Sequence, residues 1–181
     1  MFEGDTYRVK QKIRIGDAYN VYEGGEHVLS VKKKKLRLKE DVRFNDTDGD
    51  PVLKAKAGQM LDISAAYAIT DERTGEEIGA VKRDWKSIFK HHWELLDPEG
   101  NVVARITEDS VPMALARRYI TTLIPFRYHF EDSTGNALGS IREKFSFRDN
   151  YTIDLSADTD GAIDRRLGVA AAVLIDAIEG N

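Results

Sequence analysis

The densest run of side chains able to hold a ligand is Lys32-Lys33-Lys34-Lys35-Leu36-Arg37-Leu38-Lys39. On an extended strand successive side chains alternate between faces. Lys33, Lys35, Arg37 and Lys39 would then share one face, and Lys32, Lys34, Leu36 and Leu38 the other. Lysines cannot be buried on both faces of one strand, so the segment is expected at a rim or an edge. Its functional reading is a site for an anionic surface, where each base near an anionic membrane contributes about 1 kcal/mol. The plainer reading is edge protection, because lysines on an edge strand block the addition of a further strand. Arg117 and Arg118 form a second basic pair that could assist the first.

Other residue types offer less chemistry. Asp46, Asp48 and Asp50 surround Gly49 and invite a calcium reading. An EF-hand loop spreads its oxygen ligands over about twelve residues, with Gly at the sixth and Glu at the last. Here Gly follows the second Asp and Pro51 follows the third, which is too tight for that motif. Asp158-Thr159-Asp160-Gly161 reads the same way, with Asp164 beyond it as a candidate helix cap. His91 and His92 are adjacent and would point to opposite faces of a strand, while His27 and His129 stand alone in sequence, so no metal site is expected. Ser110 lies in no G-x-S-x-G elbow, and Gly24-Gly25 is followed by no Lys-Ser/Thr pair that would cradle phosphate. Cysteine is absent, which removes thiol nucleophiles, thiolate zinc sites and disulfides. No catalytic set and no cofactor site emerge, and the expectation is a protein that is not an enzyme.

The elements that must carry these residues are written in a recurring turn. Asp46-Thr47-Asp48-Gly49, Asp97-Pro98-Glu99-Gly100 and Asp132-Ser133-Thr134-Gly135 share one D-x-x-G spelling. Asp71 to Gly75 adds a residue to it, and Tyr22-Glu23-Gly24-Gly25 is a looser copy. Asp first and Gly fourth mark a type I turn closing a hairpin. Strands are predicted to enter these turns over 41–45, 66–70, 92–96 and 127–131, and to leave over 51–56, 77–82, 102–107 and 137–143. Gly49, Gly75 and Gly100 set a period of about 25 residues. Trp93, Tyr67 and Tyr128 occupy entering-strand positions and are expected in the core or against a central element. Many short, evenly spaced strands indicate a barrel or sandwich.

Two stretches break the pattern. Between Asp109 and Pro125 a short helix is predicted, with Ser110 as its cap. From Asp164 to Ile178 the run DRRLGVAAAVLIDAI has helical length and almost no polar face, so it is buried or in a membrane. Its flanking charges leave it shorter than the roughly 20 residues that span a bilayer. The expected architecture is a ring of strands with this helix through the middle, Arg165 and Arg166 at one mouth, and Asp176 and Glu179 near the other.

The chain has 181 residues, which fits one domain, 1–181. Its 27 Lys and Arg against 31 Asp and Glu give a formal charge of −4, unlike the strongly basic balance of a dedicated nucleic-acid protein. The first residues are charged and contain no apolar h-region, so no signal peptide is expected and a cytoplasmic location is the reading.

In the order and spacing of its motifs the chain resembles the LURP-one-related family, kin of the tubby C-terminal domain and the phospholipid scramblases. The resemblance is carried by Tyr7-Arg8-Val9-Lys10-Gln11-Lys12 as an opening strand, by Asp46-x-Asp48-Gly49 and the strand after it, and by Tyr151-Thr152-Ile153-Asp154 followed by the apolar helix Val169 to Ile178. It implies a closed antiparallel barrel of about twelve strands around a central hydrophobic C-terminal helix. Through the tubby domain it implies binding of phosphoinositide head groups by surface bases, and through the scramblases an association with membranes and calcium. The expectation is a binding module for anionic phospholipid head groups, peripheral at the membrane. The chain lacks the cysteine cluster and membrane-inserting tail of a scramblase. The alternative is a protein-interaction scaffold using barrel edges or the 109–125 segment.

Overall fold

A computed structural model describes residues 1–12, 18–32, 41–60, 63–84, 92–108, 127–144 and 150–179. Twelve strands run in chain order: β1 (Thr6–Lys12), β2 (Ala18–Glu23), β3 (Glu26–Lys32), β4 (Val42–Asn45), β5 (Pro51–Met60), β6 (Ile63–Asp71), β7 (Glu77–Asp84), β8 (His92–Leu96), β9 (Val102–Glu108), β10 (Arg127–Glu131), β11 (Ala137–Lys144) and β12 (Asn150–Asp154). One helix follows, α1 (Arg165–Glu179). Each strand pairs antiparallel with its chain neighbours, and β12 returns to β1, from Thr6 opposite Asp154 to Lys10 opposite Asn150. The result is a closed antiparallel barrel. The predicted segments Leu36 to Lys39, Lys86 to Phe89 and the helix at 109–125 lie outside the described residues.

The D-x-x-G turns form as their spelling requires. Gly49, Gly100 and Gly135 donate to the carbonyls of Asp46, Asp97 and Asp132 at 3.3, 3.0 and 3.2 Å. Each of these glycines has φ between 87° and 95°. The register slips by one residue beside each turn, so a bulge with a left-handed glycine completes the hairpin. Gly24-Gly25 differs: both residues have positive φ, 58° and 94°, which makes it a two-residue hairpin loop rather than a copy of the longer turn. In an up-and-down barrel all these turns stand on one rim, here the turn rim. The ends of β3 and β9 and the starts of β4 and β10 stand on the opposite rim.

The inside is filled by alternate residues of every strand, among them Tyr7, Tyr19, Phe44, Tyr67, Trp93, Tyr128, Phe130 and Tyr151, all buried. Around eight strands the interior just holds side chains, whereas 16–18 leave an aqueous channel. Twelve strands lie between and leave room for a helix about 10 Å across. Leu167 to Ala177 supply that helix and are buried without a break. Small residues let α1 come close to its wall, nearest β7 with β5 and β8 beside it. The Tyr151 hydroxyl donates to the Ala172 carbonyl at 3.4 Å, midway along the helix. Asp164 caps the helix, accepting from Arg166 N at 2.8 Å.

Candidate functional site: a basic outer wall

The register of the seam aligns outward residues from strands far apart in sequence. Tyr7 and Val9 point inward, so Thr6, Arg8 and Lys10 point outward. Arg8 stands opposite Tyr22 on one side and Thr152 on the other, and Thr152 stands opposite Arg142, which stands opposite Arg127. One row across the wall therefore reads Arg127, Arg142, Thr152, Arg8, Tyr22. The row above reads Asn150, Lys10, Asn20, Ser30, and beyond it Lys32 stands opposite Ala18. Neighbouring strands are about 4.8 Å apart, so the wall carries a base on nearly every other strand.

Among the described residues no carboxylate lies within ion-pair distance of Arg8, Lys10, Lys32, Arg127 or Arg142. Arg142 acts on Asp154 only through space, adding to the pull of the Ser156 hydroxyl and N–H that holds that carboxyl low. The opposite wall is built differently. Lys82, Glu94 and Arg105 stand side by side on β7, β8 and β9 and alternate in sign, with Lys82 3.2 Å and Arg105 3.8 Å from Glu94. Arg43 faces Lys54 on β4 and β5, but Lys54 is 3.3 Å from Asp41. Like charges directly opposite on adjacent strands are destabilising. On the seam wall Arg127 stands against Arg142, and among the described residues neither makes an ion pair.

Many of the acidic residues stand at the turn rim, and several of them are held by local donors. Asp46 accepts from Asp48 N and Asp50 N at 3.1 and 2.9 Å with one oxygen and from Arg73 at 2.8 Å with the other. Asp158 accepts from the N–H groups of Ala162 and Ile163 and from Arg165. Both carboxylates thus serve their turns.

At the centre of the wall lies a groove of about 290 Å³ lined by Thr6, Arg8, Lys10, Tyr22, Gly24, Gly25 and Thr152. The Lys10 ammonium sits 4.5 Å from the centre of the Tyr22 ring. The His27 ring lies 5.4 Å from Tyr22 on the β3 side. Glu23, next to the groove, is turned to the chain start: its carboxylate accepts from the N–H groups of Phe2, Glu3 and Gly4 at 2.9, 2.8 and 2.7 Å. Burial alone would raise its pKa, and those three donors outweigh burial and hold it below the usual carboxylate range.

Beside the groove, His27 Nε2 is 3.1 Å from Ser30 Oγ, a spacing that resembles a nucleophile and its base. The same nitrogen is 3.0 Å from the Leu29 carbonyl oxygen, which can only accept, so Nε2 carries the hydrogen. It cannot take a proton from Ser30. The pair is structural.

Of the residues singled out from sequence, Lys32 is exposed at the end of β3, in the top row of this wall. Lys33, Lys34, Lys35, Arg37, Lys39, Arg117 and Arg118 lie outside the described residues. β3 pairs with β2 and β4 on its two sides, so Lys32 is at a rim and not on an edge strand. Arg8, Lys10, Arg127 and Arg142 were not evident as a site in sequence. Each is a single base in an alternating strand, and only closure of the ring brings them together.

No family model matches the chain, and no curated protein matches it in sequence. The X-ray structure of a protein from Arabidopsis thaliana matches it in fold, with a TM-score of 0.58 at 10% identity, over 96% of this chain and 91% of that one. At that identity the likeness shows the closed barrel fold and nothing finer.

Proposed function

We propose that the chain is a LURP-one-related, non-enzymatic binding module that docks on anionic phospholipid head groups at a membrane surface. The row Arg127, Arg142, Thr152, Arg8 carries this reading, because two arginines facing each other across adjacent strands cost stability and an anion bound on the wall would offset that cost. The distribution of charge supports it. The acidic turn rim would be repelled by an anionic surface and the seam wall attracted, which gives the barrel one docking orientation. Lys32 closes the wall at its upper corner, and the sequence that follows it carries Lys33, Lys34, Lys35, Arg37 and Lys39. The chain between Glu108 and Arg127, whose ends share that rim, carries Arg117 and Arg118. No described helix is long and apolar enough to cross a membrane. The described strands are each paired on both sides, so a scaffold that recruits proteins would do so through a rim or the 109–125 segment rather than an open strand edge.

The test is co-sedimentation with neutral and anionic vesicles at low and physiological salt. Two variants accompany the parent: one with Arg8, Arg127 and Arg142 changed to Gln, the other with Lys33, Lys35, Arg37 and Lys39 changed to Gln. The expected result is binding to anionic vesicles only, weakened by salt and by both variants. Binding to neutral vesicles as well, or to neither kind, overturns the proposal.

A further inference from the structure

The groove within the basic wall has features that general attraction to a charged surface does not need. Its lining brings donor-bearing residues of neighbouring strands to one space: Thr6, Arg8 and Lys10 of β1 and Thr152 of β12. Its lining contains no carboxylate, and the adjacent Glu23 is committed to the N–H groups of residues 2–4. Arg8 and Lys10 are two residues apart on β1, so their backbones are separated by about 7 Å. They can therefore approach one small anion from two sides. At about 290 Å³ the space is near the lower end of small-molecule sites, which suits one head group rather than a large cofactor.

The donor arrangement distinguishes between anions. A planar carboxylate has two oxygens, and a single Arg fork satisfies both. A phosphomonoester has three terminal oxygens pointing in different directions and uses donors on several sides. The groove provides that: a fork from Arg8, a point charge from Lys10, and hydroxyls from β1 and β12. Among the described residues Lys10 has no ion-pair partner, and it rests over Tyr22 at 4.5 Å, a weak hold at a partly exposed site.

We infer that this groove binds a phosphomonoester group, with Arg8 as the bidentate anchor and Lys10 leaving the Tyr22 ring to close on a third oxygen. The vacated ring face then lies against the organic part of the ligand. The inference rests on the anionic-surface reading if the ester is the head group of a lipid such as phosphatidic acid. A soluble phosphate ester presents the same chemistry to the same residues.

The experiment has a soluble and a vesicle arm, each preceded by thermal melts that show every variant folded. In the first, the protein is titrated with glycerol phosphate, inorganic phosphate and acetate, followed by amide and side-chain NMR shifts. Saturable shifts at groove residues with both phosphates and not with acetate are expected. Arg8→Gln should weaken glycerol phosphate binding about tenfold or more. Arg142→Gln, which removes the same charge two strands away, should weaken it less, and Arg105→Gln on the opposite wall should leave it unchanged. In the second arm, vesicles of phosphatidylcholine contain phosphatidic acid or phosphatidylserine at matched surface charge, and preference for phosphatidic acid that Arg8→Gln abolishes is expected. Soluble esters that bind without any vesicle binding would keep the inference and remove the membrane reading. Vesicle binding set by charge alone, with no saturable response to soluble esters, would overturn the inference and keep the membrane reading. Equal response to acetate, or equal losses in Arg8→Gln and Arg142→Gln, would also overturn it.

Discussion

Arg165 and Arg166, neighbours in the first turn of α1, are tied to opposite sides of the barrel mouth. Arg165 reaches Asp158 at 2.7 Å and Asp5 at 2.8 Å, beside the β12–β1 seam. Arg166 reaches Asp71 at 2.9 Å and Glu76 at 2.8 Å, in the β6–β7 hairpin, six places round the ring. Two consecutive residues thus centre the start of the helix, while the buried run from Leu167 to Ala177 packs within the barrel.

The two arginines should not be equivalent. The Asp158 side chain is 1% exposed, whereas Glu76, one partner of Arg166, is 55% exposed. Removing one member of a buried pair strands a charge, and exposed pairs contribute little. Arg165→Leu is expected to cost about 2–4 kcal/mol, tempered by the two N–H donors that Asp158 keeps. Arg166→Leu should cost about 1–2 kcal/mol. Urea denaturation at pH 7 measures both, and the reverse ranking would contradict this account of the clamp.

Gly79 carries the tightest backbone approach in the wall. Its φ is 146°, and a Cβ there would lie 2.1 Å from the Leu96 carbonyl oxygen on the next strand. Backbone oxygen cannot swing aside as a flexible side chain would. Gly79→Ala combines an unfavourable φ with overpacking and is expected to cost about 2–5 kcal/mol. A melting temperature within a degree or two of the parent would mean that the β7–β8 seam relaxes freely.

The dependence of stability on pH follows from the turns. Asp71 and Asp158 are raised by burial, but bonds from arginine and backbone N–H groups outweigh it and hold both below the usual carboxylate range. For Asp132 the Thr134 hydroxyl is the largest cause of a strong downward shift. A folded-state pKa below the unfolded value stabilises the fold above about pH 4 and loses that contribution as pH falls further. Tyr7 works at the other end: burial foremost, then Glu23, raises its hydroxyl well above the ordinary value. Its neutral form therefore favours the fold up to about pH 10, and this contribution disappears as pH rises beyond that. Urea midpoints should be flat from about pH 5 to 9 and fall on both sides. Asp158→Asn should flatten the acid limb.

How much of this was legible in sequence depends on how local each signal is. The D-x-x-G turns, the strands at 92–96 and 127–131 and the helix were readable, because turn chemistry and apolar periodicity lie within short windows. The bulge beside each turn was not read out, since it depends on a slip in cross-strand register. The Lys32 to Lys39 run was visible because its bases are consecutive. The seam wall was invisible for the opposite reason. Arg8 and Arg142 are brought within two strands of each other only when β12 closes on β1, and single bases in alternating strands look like any solvated face.

The seam wall and the opposite wall should respond to charge removal in opposite ways. Arg127 faces Arg142, and among the described residues neither makes an ion pair, so Arg127→Gln relieves repulsion and should leave stability unchanged or raise it by about 0.2–1 kcal/mol. It should at the same time weaken binding to anionic vesicles. Glu94 sits between Lys82 and Arg105, so Glu94→Gln removes two attractions and should lower stability by about 0.2–1 kcal/mol without touching vesicle binding. A residue kept for the fold loses stability when neutralised, and one kept for a ligand loses binding while stability holds or improves. If Arg127→Gln destabilises the barrel and leaves vesicle binding intact, the pair belongs to the fold, and the membrane reading loses the observation that carries it.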